Sequence, residues 1–204
     1  MKYKLTEETK VVLGHKLHRI VCVTAFASVS VGDVGGWVES KNNLSQDGDA
    51  WVCGNALVCG NAEVSGNALV CGNALVCGNA KVSGNACVSG NAEVSGDAKV
   101  SGNAWVSGNA LVCGNALVSG DAWVSGNAEV YGLTDFIVLK NSWSSGRYFT
   151  YTESNKMWKV GCFYGTGEEL IKKAYKDSEL SGKCYEATVK YVEEIERLKK
   201  ELKK

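Results

Sequence analysis

The side chains able to do chemistry are nine cysteines and two histidines, His15 and His18, in a chain of 204 residues. The start MKYKLTEETK lacks the apolar stretch of a signal peptide, so the thiols suggest cytoplasmic metal or redox chemistry before disulfides. Their spacing points elsewhere. Cys53, Cys59, Cys71, Cys77 and Cys113 recur at multiples of six residues, in a slot filled by Ser65, Ser83, Ser89, Ser95 and Ser101 in other turns of the same pattern. Interchange of Cys with Ser selects for small size, so these thiols are expected to pack, with no metal, disulfide or cofactor. His15 and His18 precede the pattern and are expected to be ordinary strand residues.

The element that carries the cysteines is a repeat. From Asp49 to Gly132 the chain runs through fourteen six-residue copies, DAWVCG, NALVCG, NAEVSG and so on to NAEVYG, without an insertion. Ala and Val are two apart in each copy and share one face of an extended strand, while the residue between them points the other way. The Gly-Asn or Gly-Asp pair that follows is turn chemistry, because Gly accepts positive φ without steric cost and Asn and Asp tolerate it better than most. One copy cannot bury its own Ala and Val, so the copies must stack into a solenoid. The absence of proline agrees with a long ladder in which each residue donates an amide hydrogen.

The run Val64-Ser65-Gly66-Asn67-Ala68-Leu69 resembles the hexapeptide family of left-handed parallel β-helices. That resemblance implies three copies per triangular coil, hence 18 residues per coil and between four and five coils. Outward residues 18 apart then lie above one another. One column holds Trp51, Leu69, Cys87, Trp105 and Trp123; a second holds Leu57, Leu75, Glu93, Leu111 and Glu129; a third holds Glu63, Lys81, Lys99 and Leu117. The first two are largely apolar and call for a cover, either a partner subunit or the chain's own C-terminal segment. A sharper alternative has Trp105 and Trp123 stacking on a sugar or base.

The flanks are expected to cap the raw strand edges of the solenoid, giving an N-terminal β cap over residues 1–45, the β-helix over 46–132 and an α+β cap over 133–204. In front, a strand over Lys16 to Val23 is followed by turns at Gly32-Asp33 and Gly35-Gly36, and Trp37-Val38 leads through Lys41-Asn42-Asn43-Leu44 into the first coil. Behind, Phe136 to Lys140, Tyr148 to Thr152 and Met157 to Val160 read as strands, and Gly161 to Gly165 as a turn. Thr166-Gly167-Glu168-Glu169 opens a helix with a capping box, and Gly182 separates it from a last helix near Tyr185 to Leu202. That helix aligns Val189, Val192, Ile195, Leu198 and Leu202 on a stripe expected to dock on an apolar β-helix face of this or another subunit.

Acyltransferases and γ-type carbonic anhydrases belong to the hexapeptide family, and the resemblance raises both activities. The former typically extrude a loop with a general-base histidine and the latter bind metal through three histidines; here the repeat has no histidine and no insertion, so no catalysis is expected. Twenty-two basic and 22 acidic residues cancel, which disfavours nucleic acid and anionic membrane as partners. Across most of its length, through Gly32-Asp33-Val34-Gly35-Gly36-Trp37-Val38, the GNAxVSG array and Gly161-Cys162-Phe163-Tyr164-Gly165-Thr166, the chain resembles phage and prophage hypothetical proteins. The resemblance implies a phage-encoded protein in the host bacterial cytoplasm. The expected function is non-catalytic, oligomeric binding or structure, with counter-defence as its sharper form: a nucleotide signal sequestered near Trp143, Arg147 and Tyr148, or a host defence protein blocked. The alternatives are an acyltransferase-like enzyme and a virion-associated structural protein.

Overall fold

The computed structural model describes residues 1–202, which divide into an N-terminal unit, Met1–Asp135, and a C-terminal unit from Phe136 onward. The N-terminal unit is a β-solenoid of about five coils. Strands β1 (Tyr3–Val12) and β2 (His15–Cys22) form an antiparallel hairpin, and β3 (Val34–Val38) pairs antiparallel to β2. Fourteen two-residue strands follow at every sixth residue, from β4 (Trp51–Val52) to β17 (Glu129–Val130). They stack in three parallel sheets, with Cα partners 18 residues apart, as in Trp51 with Leu69 and Leu57 with Leu75. Three strands per coil is therefore an observed property.

Ala and Val line the interior, and each repeat Val from Val52 to Val130 is fully buried. Packed valines at the same height in three walls exclude water completely, each worth roughly 1.5–3 kcal/mol of transfer free energy. At the corners, Gly54 to Gly126 all hold φ between 63° and 73°. Coils approach so closely there that a Cβ on Gly90 would lie 2.9 Å from the Gly108 carbonyl oxygen. The following asparagines form ladders up each edge. Asn55 donates to Asn73, Asn73 to Asn91, Asn91 to Asn109 and Asn109 to Asn127, at 3.0–3.3 Å. Asp97 and Asp121 accept from Asn79 and Asn103 but have no amide hydrogen to pass on.

The solenoid begins earlier than residue 46. Trp37 and Val38 pair in parallel with Leu57 and Val58, and Leu44 bridges to Val64, so the supposed cap already contributes walls to the first coil. Carbonyls that a preceding coil would satisfy are taken by side chains instead. Lys2 Nζ donates to Gly48 O and Ala50 O at 3.1 and 2.7 Å, and Asn43 Nδ2 to Gly60 O and Ala62 O at 3.0 and 2.8 Å. At the far end Asp135 Oδ2 accepts from the amides of Tyr131 and Gly132 at 2.7 and 2.9 Å. Donors thus stop one end and a carboxylate the other, which blunts edge pairing.

The C-terminal unit is a four-stranded antiparallel meander of β18 (Phe136–Lys140), β19 (Tyr148–Thr152), β20 (Met157–Val160) and β21 (Phe163–Gly165), then helices α1 (Gly167–Asp177) and α2 (Glu179–Leu202). The Gly161 to Gly165 segment is thus largely a strand, with Val160 pairing to Phe163 around Gly161 at φ 55°. Thr166 and Glu169 form the expected capping box. The break between helices lies at Ser178, whose extended backbone ends α1. Gly182 sits inside α2 because the Tyr175 ring packs on it, leaving 2.2 Å where a Cβ would go.

The stripe on α2 also differs. Val189 and Val192 close a core with Phe149, Tyr151, Trp158, Val160 and Leu170 of this same unit. Its next turn is Glu196, buried under the Tyr151 hydroxyl at 2.7 Å and paired with Lys156 at 2.6 Å. Leu198 and Leu202 are exposed on another side. A helix straightened through Gly182 uses the 182, 185, 189, 192 and 196 face inward, which rotates the later leucines out.

Two substitutions test these constraints by denaturant unfolding. Gly90→Ala should destabilise the N-terminal unit by about 1–3 kcal/mol through positive φ and the Gly108 contact. Gly182→Ala should cost the C-terminal unit a similar ~1–3 kcal/mol through overpacking on Tyr175, whereas Gly132→Ala, where no atom lies within 4 Å of the new Cβ, should be milder than either.

Candidate functional site

The three outward columns have the expected register, but each is covered differently. Trp51 begins the first column and is only 6% exposed, because Tyr3 and Phe26 meet its ring edge-on at centroid distances of 6.5 and 5.5 Å. Higher up, Leu69 and Trp105 are exposed. Trp105 and Trp123 lie 4.9 Å apart and 9° from parallel, with indole Nε1 hydrogens on Ser89 Oγ and Ser107 Oγ at 3.2 and 3.4 Å. Their facing surfaces are spent on each other, which leaves the outer surfaces of the pair, with Trp105 exposed, for a sugar or base. Strand spacing explains the stack: identical rings in register along a ladder meet at nearly stacking distance.

The second column is closed by the front of the chain. Leu17 of β2 packs in one cluster with Trp37 and Cys59, against which Val12, Leu57, Leu75 and Cys77 also rest. The N-terminal hairpin therefore covers Leu57 and Leu75, a role expected of a C-terminal segment or partner. Lys10 and Arg19 both lie over Trp37, their charged groups 4.2 and 4.8 Å from its ring. Leu111 is half-buried. The third column is polar where Glu63 meets Lys81 at 3.4 Å and ends on exposed Leu117.

His15 and His18 both lie on β2. His15 Nδ1 is 2.9 Å from Glu39 Oε2, and His18 Nδ1 is 3.2 Å from the Thr6 carbonyl. Glu39 Oε2 also accepts from the Gly60 amide at 2.6 Å. The hydrogen bond to His15, then that from Gly60, holds the Glu39 carboxyl below its usual range.

The stacked thiols form the densest group of nucleophiles. All nine cysteines are free. Cys59 and Cys77 share a thiol hydrogen bond; it raises Cys59 and, as the leading cause, brings Cys77 down to about 7. Around the corner, Cys53 and Cys87 are each pushed up to about 11, first by burial and next by the neighbouring Cys71. No group of three or more His, Cys, Asp or Glu side chains suited to a metal ion gathers among the described residues.

The three residues proposed to meet a nucleotide do not converge. Arg147 lines a small cavity with Val160, Cys162, Phe163 and Lys173. Trp143 lines a separate apolar groove with Leu139, Cys184, Ala187 and Tyr191. Tyr148 faces Lys140, whose Nζ is 5.6 Å from its ring. A groove absent from the sequence expectations runs beside Trp51, between Val29, Val34, Asp49 and Leu69; nothing in the repeat signals it, because one wall is the irregular segment before β3.

Residues 110–126, spanning Leu111, Leu117 and Trp123, match a family model described as the YdcK Beta solenoid repeat. That match covers the repeat alone. No curated protein matches the chain.

The Glu39 arrangement has a definite pH signature. Because its folded pKa is depressed, it contributes stability above the ordinary carboxylate range that is lost as pH falls through the folded value. Glu39→Gln should therefore flatten the acid side of the stability–pH curve, read from unfolding midpoints; an unchanged acid limb would remove Glu39 as a contributor.

Proposed function

We propose that this chain is a non-catalytic, self-associating binding or structural protein, encoded by a phage or prophage and acting in the bacterial cytoplasm, where a rigid solenoid is presented in several copies to block a host defence protein. The observation that carries the self-association is on α2. One face of the helix is used within its own unit, through Gly182, Tyr185, Val189 and Val192. A second apolar stripe remains: Cys184, Tyr191 and Leu198 are seven apart, with Thr188, Ile195 and Leu202 four residues after each. That is the alternating four-three spacing of a coiled-coil seam. Tyr191, Leu198 and Leu202 are 55%, 40% and 87% exposed, a cost in water that a second copy of the helix removes.

The flanking charges do not oppose such pairing. Lys190 pairs with Glu186 at 2.6 Å, and Arg197 with Glu194 and Glu201 at 2.5 Å each. Each helix therefore arrives with its charges already paired in cis. The phage setting rests on resemblance of the flanking motifs, and the blocking role on the exposed Leu69, Trp105 and Leu117, apolar groups held on a frame that cannot collapse around them.

The test is mass in solution by light scattering for the full chain and for Tyr191→Glu/Leu198→Glu. Both positions are exposed, so the fold should survive, as circular dichroism will show. A defined oligomer that becomes monomeric in the double variant supports the reading; a monomeric wild type sinks it. Removing the whole helix is the poorer experiment, because Val189 and Val192 belong to the core of the C-terminal unit.

A further inference from the structure

We propose that Cys59 and Cys77 are the two ligands of a linear site for a soft monovalent cation with a filled d shell, Cu(I) or its probe Ag(I). The ladder sets the geometry. Leu57 pairs with Leu75 and Val58 with Val76, and the Cys59 amide donates to Val76 O at 3.0 Å, so the two cysteines occupy the same slot in successive coils. Coil-to-coil spacing places equivalent atoms about 4.8 Å apart. Both side chains sit beside Leu17, Trp37, Val12 and Leu57; Cys59 is 2% exposed and Cys77 half-buried, which leaves one side for an ion to enter.

The spacing separates the possible fates of the pair. A disulfide asks for Cβ atoms about 3.5–4.5 Å apart, so the coils would have to pinch together. Corners on both sides resist, because Gly54 and Gly72, and Gly60 and Gly78, already bring backbone to 3.1 and 3.2 Å of the Cβ position. Two metal–sulfur bonds of about 2.3 Å in line span about 4.6 Å, close to the strand spacing, so rotation of the two side chains out of their thiol hydrogen bond accommodates an ion without moving the coils. The donor count selects the ion. Zinc requires four ligands, and no group of three or more candidate ligands gathers among the described residues, whereas a filled-shell monovalent ion is satisfied by two thiolates. Binding is a proton exchange without electron transfer: two thiols and one M⁺ give an anionic S–M–S unit and release two protons.

Cys53 and Cys71 share this register on the neighbouring column, but Cys71 also contacts the Cys87 thiol, and Cys53 lines an open groove. That pair is joined by a third thiol and opens on a groove, and serves as the internal control. Serine occupies the same slot in other copies, so Cys→Ser variants keep the coil.

The full-length protein, reduced and kept free of oxygen, is titrated with Cu(I) alone against a chromophoric Cu(I) chelator. X-ray absorption then reads the ligand shell. The expected result is one ion retained by wild type and by Cys53→Ser/Cys71→Ser, bound by two sulfurs, and at least a hundredfold weaker retention in Cys59→Ser/Cys77→Ser. Equal retention in the last variant, three or more ligands in the shell, or no retention by wild type would each overturn the proposal. So would quantitative Cys59–Cys77 disulfide formation under peroxide with an unchanged unfolding midpoint, since the ladder would then have shown that it pinches freely.

Discussion

Coil-to-coil contact at the Gly-Asn corners is the constraint on which the N-terminal unit depends. Each corner must turn the chain within two residues, and only glycine does this at φ near 68° while another glycine passes within about 3 Å of its Cβ position. The asparagine beside it then hydrogen bonds to the asparagine 18 residues later. These bonds lie at the surface and are individually modest. Their effect is on register: a slip of one residue would bring Gly onto Asn and turn each Val from core to solvent.

From that register the rest of the unit follows. Val meets Val at each level of the interior, and outward residues meet their equivalents, so whatever occupies a column is forced into contact at the strand spacing. Tryptophans stack on tryptophans, Lys81 is placed over Glu63, and cysteines are placed over cysteines. The same rigidity leaves strand ends that cannot fold away. Lys2, Asn43 and Asp135 answer this locally by donating to or accepting from the exposed backbone of the end coils. A buried carbonyl without a partner would cost about 1–3 kcal/mol, which explains a lysine that is almost wholly buried.

The C-terminal unit obeys different rules. Its sheet is antiparallel, its core aromatic, and its long helix is shared between an inner face and an outer one. Phe149 meets Tyr185 and Trp158 edge-on at 4.8 and 6.3 Å, an arrangement that fixes the helix by ring shape. Glu196 shows why apolar periodicity misjudged this helix: a carboxylate bound to Tyr151 and Lys156 fills a core position that hydrophobic patterning would assign to a leucine.

What the amino-acid sequence determined by itself is a solenoid of six-residue copies with inward Ala and Val and a turn at each Gly-Asn; three copies per coil, and with it the three outward columns, was implied by the resemblance to hexapeptide β-helices and is observed in the pairing of residues 18 apart. In a repeat the ladder pairs join residues at one fixed separation, so once the number of copies per coil is known the register follows. Only the tertiary structure decided what covers each column, that Trp37 and Leu44 already belong to the first coil, that the N-terminal hairpin closes over Leu57 and Leu75, and that Val189 and Val192 are used within the C-terminal unit. Those contacts join segments with no common period, where the outcome rests on side-chain shape, on buried pairs such as Tyr151 with Glu196, and on a glycine placed for a neighbouring ring, none of which leaves a periodic trace in the chain.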